Sequence, residues 1–188
     1  MYGCLDFVEL PDTIDNVKHL RHLDLSRTRI KRLPDSLSSL YNLQILKLKE
    51  CAHFEELPGN LPKLINLCYL DFTGTKVSKM PMEMGKLKNL EVLSSFYVDK
   101  GGESNIKQLG ELNLHGKLSI LELQNIANTI YVSSVNMEGK VHLVELELTW
   151  NGNSVNSQQE KEVLDKLQPS KHLKKLSVKG YGGTLFPD

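Results

Sequence analysis

Apolar residues recur along this chain as L-x-x-L-x-L, and that pattern itself repeats. Stretches beginning at Leu20, Leu43, Leu67 and Leu90 read LRHLDLSRTRIKRLP, LQILKLKECAHFEELP, LCYLDFTGTKVSKMP and LEVLSSF, with starts 23, 24 and 23 residues apart. The pairs Leu10-Pro11, Leu33-Pro34, Leu57-Pro58 and Met80-Pro81 keep the same steps. Two landmarks sharing one period identify a repeat architecture. The period then loosens: Leu118-Ser-Ile-Leu121-Glu-Leu123, Leu143-Val-Glu-Leu146-Glu-Leu148 and Leu173-Lys-Lys-Leu176-Ser-Val178 keep the motif at spacings of 28, 25 and 30 residues.

The x-L-x-L portion alternates, so its leucines face one side of a short strand and the x residues the other. A 23-residue unit cannot bury its own apolar side, whereas stacked units bury a continuous core and align their strands. The expectation is an α/β repeat solenoid: a leucine-rich-repeat horseshoe arc with a parallel concave β-sheet and an irregular or helical convex side. Residues 1–98 hold the regular repeats of 23–24 residues, the first incomplete, and 99–188 hold irregular repeats with insertions, cut off at the C-terminus. Pro34, Pro58 and Pro81 lack a backbone donor and fit the outer segments. Where the spacing widens, helices are expected over Asn105–Leu112, Ala127–Lys140 and Gln158–Leu167. In the last, Val163, Leu164 and Leu167 form a core-packing stripe, with Glu160, Glu162, Asp165 and Lys166 on the surface. Gly101-Gly102 and Asn151-Gly152-Asn153 read as turns.

Cys4-x-x-Phe7-x-x-Leu10-Pro11 matches Cys51-x-x-Phe54-x-x-Leu57-Pro58, so the chain opens in mid-repeat and closes at Phe186-Pro187-Asp188, just after a strand motif. Neither end shows a polar capping unit, and the expectation is a piece of a longer chain, poorly soluble in isolation.

Composition narrows the class. Lys+Arg 23 against Asp+Glu 23 leaves a net charge of +0, which argues against a polybasic nucleic-acid binder and against an acidic tail. No apolar run approaches the roughly 20 residues of a membrane span, and no secretory signal opens the chain. Cys4, Cys51 and Cys68 are too few for a disulfide framework. Cys51 occupies a small-polar slot shared with Thr28 and Thr75 and reads as a buried structural thiol, which Cys4 should match.

Catalytic chemistry finds little purchase. His19, His142 and His172 each precede a repeat's first leucine, in a slot held elsewhere by Asn42, Asn66 and Asn89, so a loop-to-strand hydrogen bond outweighs metal ligation there. His53 and His115 have no partner at motif spacing. Neither H-E-x-x-H, paired C-x-x-C nor G-x-S-x-G occurs, and no carboxylate pair stands out. The reading is a non-enzyme with no catalytic, cofactor or metal residue.

The x positions of the strands are the binding candidates. In the first repeats they are His22, Asp24, Ser26 and Arg27, then Ile45, Lys47, Lys49 and Glu50, then Tyr69, Asp71 and Thr73. Later come Ile120, Glu122 and Gln124, then Glu145, Glu147, Thr149 and Trp150, then Lys175, Ser177 and Lys179. Asp24, Lys47 and Asp71 share a column as a charge ladder, while Glu122, Glu145 and Glu147 suggest a local acidic patch. Trp150 and Tyr69 lead as contact residues, because Trp and Tyr are over-represented in interface hot spots. Packing of Trp150 against an adjoining insertion is the equal alternative. The mixed-sign face does not favour nucleic acid.

The run HLRHLDLSRTRIKRLPDSLSSLYNLQILKLKEC resembles the leucine-rich repeats of plant nucleotide-binding disease-resistance receptors. KLKNLEVLSSFYVDKGGESNIKQLGELNLHGKLSILELQNI and EVLDKLQPSKHLKKLSVKGYGGTLFPD are similar to the variable-spacing portion of the coiled-coil class and to the stretch that follows it. This resemblance implies a signalling coiled coil, a nucleotide switch and a repeat array that restrains the switch and recognises pathogen effectors directly or through a host protein. This sequence carries no coiled coil and no G-x-x-x-x-G-K-[S/T] loop, so no cofactor is expected on it. It also lacks N-x-L-x-G-x-I-P and any N-x-[S/T] sequon, which favours an intracellular, cytoplasmic protein over a cell-surface one. The expected partners are proteins: an effector, a host target or the receptor's own switch domain. The alternative is a stand-alone intracellular repeat adaptor without a switch.

Overall fold

A computed structural model describes residues 7–100, 105–151 and 157–183. The chain separates into two compact units, Met1–Ser94 and Ser95–Asp188. That division lies inside the stretch assigned to the regular repeats. Cys4, the Gly101-Gly102 and Gly152-Asn153 turn positions and the Phe186-Pro187-Asp188 end lie outside the described residues.

In the first unit each repeat supplies one strand: β1 (His22–Asp24), β2 (Ile45–Lys47), β3 (Tyr69–Asp71) and β4 (Val92–Leu93), parallel and in chain order. Leu23, Leu46, Leu70 and Leu93 pair in one register column. Behind the sheet the chain returns through short 3-10 helices at Asp12–Asn16, Asp35–Ser39, Leu61–Lys63 and Met84–Lys86. Pro11 and Pro34 cap the first two at φ −69, an angle the ring imposes in any case.

The core is a stack of columns one repeat apart. Leu43, Leu67 and Leu90 are fully buried, as are Leu40, Leu64 and Leu87. Ile30, Phe54 and Val77 form another column, and Leu37, Leu61 and Met84 a further one. Each such side chain contributes about 1.5–3 kcal/mol by leaving water. Polar residues tie the turns together. Thr28 Oγ1 donates to the Leu25 carbonyl (2.7 Å), Thr75 Oγ1 to the Phe72 carbonyl (2.8 Å), and the buried Cys51 thiol to the Leu25 carbonyl of the preceding repeat (2.9 Å). The expected structural thiol is thus observed. Asn42, Asn66 and Asn89 each donate through Nδ2 to a backbone carbonyl one repeat earlier, at Lys18, Tyr41 and Ile65 (2.8, 2.8 and 2.9 Å). The asparagine slot therefore bonds turn to turn.

The second unit holds β5 (Ser95–Tyr97), α1 (Asn105–Gly110), β6 (Gly116–Leu121), β7 (Leu143–Thr149), α2 (Ser157–Lys166) and β8 (Lys175–Lys179), its strands again parallel and in chain order. Two of the three expected helices form, with Val163, Leu164 and Leu167 buried. Ala127–Lys140 is not a helix; it contains 3-10 turns at Thr129–Tyr131 and Ser133–Val135. Thr129, Ile130, Val132 and Val135 are β-branched and lose rotamer freedom in a helix. Asn128 accepts from the Ile130 amide and Asn136 adopts φ 49, both of which favour turns. Glu160, expected at the surface, is buried, and its carboxylate accepts from the Gly182 amide (2.7 Å), which offsets part of the cost of burial.

Register in this unit differs from the sequence reading. Leu118 pairs with Leu146, and Ile120 with Leu148, so Leu118-x-Ile120 faces the core. Ile120 is fully buried and does not belong to the outward face. Leu121, taken as a core leucine, is instead half-buried and pairs with Tyr97 on the outward side. LSILEL offers apolar residues in both parities, and only strand pairing selects one.

Lys140 is buried here and donates to the Leu112 carbonyl (2.7 Å). Burial lowers its pKa below the ordinary lysine value. Between the lowered value and about 10.4 the unfolded chain holds a proton that the folded chain has released, so stability rises with pH across that window. It is lost again as pH falls through the folded value. Lys140→Met should flatten this slope, so that the urea midpoint of the unsubstituted protein rises relative to that of the variant as pH goes from neutral towards 10. Midpoints that stay parallel would refute it.

Candidate protein-interaction surface

The outward faces of the two sheets carry the x residues, and strand pairing arranges them in rows. On the first sheet one row is His22–Ile45–Tyr69–Val92 and the next is Asp24–Lys47–Asp71. The expected charge column is therefore real in register. Asp24 accepts from the Ser26 amide (3.0 Å) and Asp71 from the Thr73 amide (2.9 Å), an Asx turn repeated at two strand ends. Burial works to raise the Asp24 pKa, but the Ser26 bonds, with Lys47 and His22, outweigh it and leave the carboxyl below its usual range. The Lys47 ammonium sits 5.5 Å from the centre of the Tyr69 ring.

Just beyond the strands, Arg27 and Glu50 take left-handed backbone (φ 62 and 60) and pair side chain to side chain at 2.7 Å. Both are exposed, so the pair contributes only about 0–1 kcal/mol. Lys49 is exposed as well.

The second sheet corrects the acidic patch. Glu145 lies between Lys117 (4.0 Å) and Lys175 (3.9 Å), and Glu147 pairs with Lys179 at 3.0 Å. Neighbouring strands thus balance the carboxylates in alternating charge. Glu122 leaves the group altogether: with φ 63 it begins the turn after β6 and holds Asn151 Nδ2 (2.7 Å) and Gln124 Nε2 (2.5 Å). Gln124 Oε1 in turn accepts from the Asn151 amide (2.8 Å). Gln124 and Glu122 are committed to joining two turns.

Thr149 and Trp150 are buried, at 8% and 2% exposure. Trp150 meets Tyr181, just after β8, edge to face with ring centres 5.6 Å apart, so its ring is packed inside the fold and is not on the outward face. Tyr69 stays half-exposed on the sheet. Lys117 and Ser119 belong to the outward rows but are hidden in the sequence by the two parities open to the Leu118 motif, and Tyr97 of β5 joins them beside Leu121. The same ambiguity concealed a partner for His115, whose ring lies 4.5 Å from that of His142 on the adjacent repeat.

Among the described residues no group of three or more His, Cys, Asp or Glu side chains is gathered for a metal, and no helix is long and apolar enough to cross a membrane. A cleft of about 790 Å³ near the first Leu-Pro steps mixes Glu9 and Asp12 with Lys31 and Arg32, a lining without preference for anions. Burial raises the Cys68 thiol pKa, assisted by the charge of Glu91. Cysteine reacts as thiolate. Site-resolved alkylation of the native protein at pH 7.5 should therefore leave Cys51 untouched and modify Cys68 more slowly than a free peptide thiol; rapid labelling of either would reopen a thiol chemistry.

Parallel strands recurring with the repeat, shared leucine columns and turn-to-turn asparagine bonds define a leucine-rich-repeat protein, a scaffold fold for protein interaction and not a catalytic one. Residues 106–188 match the family model described as R13L1/DRL21 LRRs, and residues 19–40 match the Leucine Rich Repeat model. A protein described as disease resistance RPP13-like protein 1 from Arabidopsis thaliana is 53% identical over 188 residues, covering 95% of this chain and 18% of its own length. Disease resistance protein RGA2 of Solanum bulbocastanum is 32% identical over 98 residues, 51% of this chain and 10% of that protein. The repeats are similar to those of these plant disease-resistance proteins. This chain spans less than a fifth of the length of these relatives.

Solved structures share the fold. Internalin C2 of Listeria monocytogenes aligns with TM-score 0.56 and 17% identity over 92% of this chain and 67% of its own. The leucine-rich-repeat ectodomain of the Arabidopsis thaliana receptor kinase GASSHO1/SCHENGEN3 aligns with TM-score 0.59 and 19% identity over 93% of this chain and 20% of its own.

Proposed function

We propose that this chain is part of the recognition and autoinhibition repeat domain of an intracellular plant immune receptor, acting in the cytoplasm. The similarity to the Arabidopsis disease-resistance relative, 53% identity across 95% of the chain, carries this reading. Its partners are proteins: a pathogen effector, a host target or the receptor's own switch domain. The nucleotide chemistry of such a receptor belongs to another segment, and these residues bind no cofactor. The two outward sheet faces supply the contacts, through half-buried apolar side chains and through lysines and carboxylates in register.

Reading the genomic DNA upstream of Met1 tests it. An in-frame nucleotide-binding domain is the expected result; a promoter and a start codon at Met1 would instead make the chain a stand-alone repeat adaptor.

A further inference from the structure

The outward face of the first sheet has chemistry specific enough to state what it takes. Ile45, Tyr69 and Val92 stand in one row on neighbouring strands, all half-buried and outward. Strands lie about 4.8 Å apart, so the row is a continuous apolar strip roughly 10 Å long. The Lys47 ammonium over the Tyr69 ring, 5.5 Å from its centre, restrains that ring from one side. A restrained aromatic loses little entropy when a partner covers it.

Charge on the same face is unevenly committed. The carboxylates of Asp24 and Asp71 flank Lys47 in register and are already acceptors for the Ser26 and Thr73 amides. Arg27 is taken by Glu50. Lys49 lies two residues beyond Lys47, exposed, with no carboxylate beside it in its own row: its row neighbours are Ser26 and Thr73. The backbone ladder continues that far, because the Arg27 amide donates to the Lys49 carbonyl (2.8 Å) and the Glu50 amide to the Thr73 carbonyl (2.7 Å). Four residue steps lead from Ile45 to Lys49, the last of them entering the turn after β2, a reach of at most roughly 13 Å at about 3.3 Å per residue.

We propose that this face binds an extended segment of another protein that places an aliphatic or aromatic side chain on the Ile45–Tyr69–Val92 strip and an aspartate or glutamate on Lys49. The inference rests on the protein-interaction reading above and names the partner's chemistry. A polyanion such as nucleic acid is disfavoured, since it would lay phosphates over Asp24 and Asp71. A second copy of this chain is the competing occupant, and the test resolves it.

The test selects a random peptide library against the folded 188-residue chain and measures synthetic versions of the enriched peptides by fluorescence anisotropy. Enriched peptides should carry an apolar residue and an acidic residue three to five positions apart. Tyr69→Ala and Lys49→Glu should each weaken them at least 10-fold without moving the urea midpoint. Exchanging the peptide's acidic residue for lysine should recover binding to Lys49→Glu, which a merely structural role of Lys49 would not produce. Peptides indifferent to both substitutions, or no enrichment at all, would overturn the inference, and so would self-association that Tyr69→Ala abolishes. The genomic reading of the preceding section stands or falls independently of these outcomes.

Discussion

Gly180→Ala is expected to be among the most damaging single substitutions in the chain, lowering stability by about 4 kcal/mol or more, beyond the ordinary range for point mutants. Gly180 follows β8 with φ 67, and a Cβ there would lie 2.0 Å from the Trp150 carbonyl oxygen. Left-handed backbone alone costs an L-residue about 1–2 kcal/mol. The overlap is the larger part, because the obstacle is backbone at the end of β7 and cannot rotate away. Gly116→Ala separates the two contributions: Gly116 has φ 73 but nothing within 4 Å of its added Cβ, so only the 1–2 kcal/mol of strain should appear. Urea unfolding followed by the fluorescence of the single tryptophan, Trp150, measures both. Equal losses at the two glycines would show that the close approach to Trp150 is not what matters.

Trp150→Ala should cost about 3–5 kcal/mol, the usual loss for a large aromatic removed from a packed site. It is buried to 2% exposure and rests edge to face on Tyr181. Trp150→Phe should recover most of that loss, because the indole N–H is buried without an acceptor and its removal leaves no broken hydrogen bond. Trp150 emission should be blue-shifted in the native state. If Trp150→Ala left the unfolding midpoint in place and reduced only partner binding, its packing role would be wrong. Circular dichroism follows unfolding in both variants.

Much of the fold was legible because a stacked unit must place like residues at like slots. Leu43, Leu67 and Leu90, spaced 24 and 23 residues apart, are all fully buried. Asparagine at 42, 66 and 89 signalled a bond, and the carbonyl one repeat earlier receives it. Cys51 in the threonine slot was readable for the same reason. The outward rows of the first sheet followed from alternation, so His22, Asp24, Lys47, Tyr69 and Asp71 lie in the predicted register.

Legibility failed where one pattern allows two answers. LSILEL fits either strand parity, and choosing the wrong one turned Ile120 outward, set Leu121 inward and hid the facing of His115 and His142. Ala127–Lys140 has enough apolar residues for a helix, yet Asn128, Asn136 and the β-branched residues between them close turns instead. Glu160 reads as surface until the Gly182 amide is found beside it. Glutamates 145 and 147 read as an acidic patch because their lysine partners, Lys117, Lys175 and Lys179, come from other repeats.

The sequence by itself determined the repeat, the leucine columns and the family resemblance, because all three depend on periodic spacing along one chain. Tertiary structure decided which strand parity faces the core, which charges meet across strands, and that Trp150 packs inward while Tyr69 stays on the face. These outcomes depend on neighbours 23–32 residues away, whose distances are set by the stacking of one repeat on the next.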